Sequence, residues 1–150
     1  MSYHKRTIRT LSHCFYDLIY HIVWTPKYRG KVLDKPKVKQ EVSRTIGQIC
    51  KWKQWEIIEL NIQDDHIHLI LLTSPRYSIS YVMQIIKGKS SAWMKKKIKN
   101  TDKLYDRGSL WARGYFVSSI GLDEHLIRRY VRHQYDKNQL EQPSLFNLFK

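Results

Sequence analysis

The chain has 150 residues, with 27 Lys and Arg against 13 Asp and Glu, for a formal net charge of +14. That length supports one domain, 1–150, with a proper core, and a hydrophobic fraction of 42% is ordinary for a globular protein. No stretch approaches the roughly 18–20 apolar residues of a membrane span, the basic start lacks the apolar run of a signal peptide, and two cysteines are too few for a disulfide framework.

A cytoplasmic, reduced protein is therefore expected, with no membrane partner. A field of this sign attracts polyanions, and aromatic residues at 13% can stack on unpaired bases, so nucleic acid is the expected partner class. Phe15 to Trp24 is rich in β-branched and aromatic residues and predicts a first strand, closing at Pro26. Val38, Val42, Ile46 and Ile49 recur at helical spacing and predict a helix from about Lys35 to Trp52. Trp55 to Ile62 alternates as a strand, with Ile58, Leu60 and Ile62 on one face. After a polar turn at Gln63-Asp64, His66 to Thr73 predicts the antiparallel partner of that strand.

Pro75 ends this hairpin, and Ser78 is placed to cap a second helix with the apolar stripe Ile79, Val82, Met83, Ile86, Ser90 and Trp93. Its far end is basic, with Lys87, Lys89, Lys95, Lys96, Lys97 and Lys99. A fourth strand is predicted from about Leu110 to Ser119, followed by a break at Gly121. Asp123-Glu124 then begin a final helix, with acids where the helix dipole favours them, running to about Asp136. The order β-α-β-β-α-β plus a C-terminal helix implies an α+β fold: an antiparallel sheet with helices on one face, ferredoxin-like or RRM-like.

His66-Ile67-His68 is the sharpest local signal. Residues two apart in a strand point to one face, so both imidazoles project together while Ile67 turns to the core. Such a pair holds a divalent metal when a third ligand lies near; otherwise it is only a polar sheet face. Spacing excludes several rivals. A histidine-triad hydrolase wants a histidine at position 70, where Ile70 stands, and none of the seven histidines has Thr or Ser two residues on, as two-histidine phosphoesterases require. Zincin and zinc-finger patterns are absent. In the final helix Tyr130 and Gln134 are four apart and share a face, flanked by Leu126, Ile127 and Val131. That face is either a packed amphipathic stripe or a site.

Taken in order, five dispersed segments resemble the single-tyrosine HUH transposases of small insertion sequences. They are Lys27-Tyr28-Arg29, His66-Ile67-His68 after Asp65, Lys87-Gly88-Lys89-Ser90-Ser91, Trp111 to Phe116, and Tyr130 to Gln134. The resemblance implies that Tyr130 attacks single-stranded DNA and becomes linked to a 5′-phosphate. It also implies a divalent metal, Mg2+ or Mn2+, held by His66, His68 and Gln134 as a Lewis acid on the scissile phosphate. By the same resemblance the protein is a homodimer with active sites shared between subunits, acting on DNA hairpins at the element's ends. Gly121 then serves as a hinge before the tyrosine helix, or as an ordinary strand-to-helix turn. Lys27, Tyr28, Arg29, Lys87, Lys89 and Arg113 are the candidate DNA contacts, some of them equally suited to a solvated surface. Asp65 fits the family pattern and fits turn chemistry as well. The competing readings are a HUH nickase, a domesticated repeat-associated transposase, and a non-catalytic RNA- or single-stranded-DNA-binding module.

Overall fold

A short hairpin comes first in the computed structural model, which describes residues 8–27, 31–97 and 109–121. Strand β1 (Arg9–Leu11) pairs antiparallel with β2 (Cys14–Tyr16) across a tight turn in which His13 takes φ 61°. The predicted strand over Phe15–Trp24 is therefore two strands: β2 belongs to this hairpin and β3 (Leu18–Trp24) to the main sheet. Both pieces are β-prone, and Asp17, of a type depleted in strands, is the one local mark of the break; the pairing partners decide it. The hairpin and Gly121 belong to one compact unit and the residues from Leu18 to Ile120 to another.

In the second unit, helix α1 (Pro36–Lys53) begins with proline at its first turn, where the missing N–H is no loss. It ends at Gln54, left-handed at φ 60°, and the N–H groups of Gln54 and Trp55 reach the Lys51 and Cys50 carbonyls at 3.2 and 2.9 Å. Strands β4 (Glu56–Ile62) and β5 (Ile67–Thr73) form the expected hairpin. The face predicted for β4 is corrected by a bulge at Ile58, where pairing slips between Ile57 and Glu59. As a result Ile57, Leu60 and Ile62 pack on the core, and Ile58 is the extra residue.

Helix α2 (Ile79–Lys97) is capped as predicted: the Ser78 hydroxyl accepts the Tyr81 N–H at 3.2 Å. Strand β6 (Phe116–Ile120) is shorter than the predicted Leu110–Ser119. Residues 110–115 are used otherwise: Leu110 and Trp111 are buried, and Trp111 makes a single bridge to Pro26. Gly114 then turns the chain at φ 82°, which a side-chain-bearing residue rarely adopts.

The four strands β3 to β6 order as β4-β5-β3-β6, every pair antiparallel, which is the ferredoxin-like α+β layout. Ile22, Trp24, Ile67, Leu69 and Leu71 on one sheet face meet Val42, Ile46 and Ile49 of α1 and Val82, Met83 and Ile86 of α2. Full burial of each such side chain is worth about 1.5–3 kcal/mol, so this face fixes the register and leaves the alternate residues on the other face. Cys50 is in this core, and burial pushes its thiol up to about 12, so it is inert as a nucleophile. The final helix predicted from residue 123 lies outside the described residues. No helix among the described residues is long and apolar enough to cross a membrane.

Candidate active site

Burial of Ile67, Leu69 and Leu71 on one side of β5 puts His68 and Ile70, both half-buried, on the other. Ile67, between the histidines, is fully buried opposite Trp24 and Ile62, so His66 and His68 both fall on the face away from α1 and α2. Strands β3 and β4 flank β5, and His68 is paired with Val23 on one side and Asn61 on the other. Its backbone is thus held by a strand on either side. His66 stands just before the strand, where its carbonyl accepts the Gln63 N–H at 2.9 Å to close the β4–β5 turn. Lys39 of α1 steadies the same turn through an ion pair to Asp64 at 2.6 Å.

Asp65 is the second group the sequence marked. Its Oδ1 lies 2.8 Å from His66 Nδ1. An ionised carboxylate only accepts, so Nδ1 is the nitrogen that donates to Asp65, which leaves Nε2 as the nitrogen for a metal. His68 is driven toward the neutral form, first by desolvation and then by the neighbouring His21, with Glu59 opposing. The result is two imidazoles on one face, a donor set that fits a divalent metal as part of a larger ligand shell. Among the described residues no three His, Cys, Asp or Glu side chains converge as a complete set. Tyr130 and Gln134, like Tyr28 and Arg29, lie outside the described residues.

His21 escaped the sequence reading. Its ring packs edge-on against His68 at 4.1 Å between centroids, and against Phe116 at 6.1 Å. The only sequence signal was its place two residues before Val23, and that becomes meaningful only once β3 is known to pair with β5 in this register.

The other motif residues converge elsewhere. Lys87 Nζ donates to the carbonyls of Ala112 and Gly114 at 2.8 and 2.9 Å, and burial lowers its pKa. Ser90 accepts the Trp111 indole N–H and Ser91 the Leu110 N–H, both at 2.8 Å. The Lys27 N–H reaches Leu110 and the Ala112 N–H reaches Thr25, both at 2.9 Å. Segments that look like separate basic motifs in sequence are one knot, which holds Arg113 exposed at its tip. Lys89 stands elsewhere on the helix layer, its ammonium 5.1 Å from the Trp52 ring centroid. Gly121 follows β6 directly.

The family model for IS200-like transposases matches residues 14–134. The chain is 33% identical over 132 residues to the transposase of insertion sequence IS200 from Salmonella typhimurium, covering 88% of this chain and 86% of that one. A solved transposase structure from Deinococcus radiodurans superposes with a TM-score of 0.69 at 26% identity, covering 88% of this chain and 98% of the other. A REP-associated tyrosine transposase bound to a REP hairpin shares the fold, with a TM-score of 0.51 at 14% identity over 94% of this chain and 75% of the other. With a family model matched over most of its length and a relative 33% identical over 88% of it, the chain belongs to the IS200-like transposase family.

Proposed function

We propose that this transposase, acting in the cytoplasm, cleaves and rejoins single-stranded DNA at insertion-sequence ends through a covalent intermediate on Tyr130. The observation that carries this reading is the histidine pair on one face of β5, with Asp65 holding the His66 tautomer. In the reaction, the Tyr130 oxygen attacks the scissile phosphorus and loses its proton. The bond to the 3′ oxygen breaks, that oxygen leaves as a hydroxyl, and the phosphate stays on the tyrosine as a 5′-phosphotyrosine. The link preserves one phosphoester for the one broken, so a different 3′-hydroxyl can reverse the step and join new ends. His66, His68 and Gln134 would hold Mg2+ or Mn2+, which supplies Lewis-acid stabilisation to the nonbridging oxygens when bound.

Asp65→Ala is expected to weaken Mn2+ binding by about 10- to 100-fold, because His66 then loses the partner that fixes its tautomer. Isothermal titration with Mn2+ checks this; unchanged affinity would assign Asp65 to the turn alone.

The substrate is a single-stranded hairpin, as supported by the hairpin-bound relative and the net charge of +14. Binding to hairpins is expected to exceed binding to the matching perfect duplex and to fall by orders of magnitude as salt rises from about 50 to 200 mM. Gel shifts on both forms decide it, and equal affinity at moderate salt would defeat the hairpin reading.

The active form is a homodimer in which Tyr130 of one subunit works with His66 and His68 of the other. Mixing Tyr130→Phe and His66→Ala subunits is then expected to restore cleavage, because one site of each heterodimer carries both lesions and the other neither. Co-purification of two tags verifies exchange. Verified heterodimers without activity would show that each site is built within one subunit.

A further inference from the structure

Register puts four residues in one row across the sheet face away from α1 and α2: Asn61, His68, Val23 and Phe116 are successive cross-strand partners from β4 to β6. Phe116 is two strands from His68, about 9–10 Å by strand spacing, and its ring is 58% exposed. The His21 ring touches both neighbours, at 4.1 Å from His68 and 6.1 Å from Phe116 by centroids. A single exposed aromatic is ordinary on a protein surface. This one differs because it stands beside the histidine pair and directly follows a braced loop. Lys87, Ser90 and Ser91 hold residues 110–114 by four hydrogen bonds to side chain and backbone. Exposed Arg113 and Tyr115 stand in the same segment.

We propose that Phe116 is the stacking platform for the base next to the scissile phosphate, seating that nucleotide beside His68 in single-stranded DNA. The inference rests on the cleavage reading above and adds a nucleotide subsite to it. The occupant follows from the chemistry of this surface: an unpaired base presents a π-face, its phosphates answer the Arg113 guanidinium and the +14 chain, and a duplex would hide that face. Because the contact is to a ring face, it tolerates different bases and positions the strand more than it reads it.

The test uses full-length protein carrying Tyr130→Phe, so that DNA is bound and not consumed. Single-stranded element ends carry one 2-aminopurine, moved position by position across the junction mapped with wild type. One position flanking the junction is expected to show quenched fluorescence, lost in Phe116→Ala and kept in Phe116→Trp. Affinity for that DNA is expected to fall by about 5- to 100-fold in Phe116→Ala, with thermal unfolding and light scattering unchanged. If wild type forms the adduct but the Ala variant binds and quenches like its parent, the platform is wrong and the cleavage reading stands. A changed oligomeric state in Phe116→Ala would show that a second copy of the chain covers this ring, which overturns the proposal. If wild type forms no adduct with any single strand, the cleavage reading fails and takes the subsite with it.

Discussion

His68→Ala is expected to lower strand cleavage by on the order of 10^3-fold or more, and Tyr130→Phe to abolish the covalent protein–DNA adduct altogether. The two losses have different origins. Phenylalanine has no oxygen to attack phosphorus, so no phosphotyrosine forms, whatever else remains intact. His68 is paired on both sides, with Val23 and Asn61, so an alanine there removes one imidazole donor while the strand backbone keeps its place. Hairpin binding should change by less than about threefold in either variant, since phosphate contacts, not the histidines, supply most of the affinity. Adduct formation on denaturing gels with Mg2+ or Mn2+, alongside gel shifts, separates chemistry from binding. Full cleavage in EDTA would remove the metal from the mechanism. Full cleavage by Tyr130→Phe would remove the tyrosine.

The largest stability effect is expected at Trp111, far from the proposed chemistry in role. Trp111→Ala should destabilise the fold by about 3–5 kcal/mol. The indole is 2% exposed, meets Trp24 edge-on at 6.0 Å between centroids, and donates to Ser90 at 2.8 Å. Alanine there opens a cavity between the end of β3 and α2 and leaves the buried Ser90 hydroxyl short of a donor. Trp111→Phe keeps most of the packing and loses the hydrogen bond, so its cost should be nearer 1–3 kcal/mol. Urea denaturation of the three proteins provides the ranking. Equal midpoints for wild type and Trp111→Ala would mean the knot contributes nothing to the fold. Within the same knot the Lys87 ammonium organises the Ala112–Gly114 turn through two carbonyls.

How much of this was legible in the sequence depends on the range of the interactions involved. Helix α1, helix α2 with its Ser78 cap, the β4–β5 hairpin and the shared face of His66 and His68 follow from local period and turn chemistry. Hydrophobic periodicity acts over a few residues and is written into the chain wherever one face must be buried. The split at Asp17, the bulge at Ile58 and the late start of β6 are different: they depend on which strand lies alongside, and equally β-prone segments do not announce their partners.

The site divides the same way. The two histidines and Asp65 are neighbours along the chain, so their spacing alone marks them. His21 and Phe116 join them only through the pairing of β3 with β5 and β6, across sequence separations that no local pattern spans. Lys27 and Lys87 carry basic signals that read as nucleic-acid contacts one by one, since charge is visible in a sequence and its partner is not. Tertiary structure turned Lys87, Ser90 and Trp111 inward, because a buried ammonium or indole N–H must find an acceptor and the turn at Gly114 offered carbonyls where α2 passes.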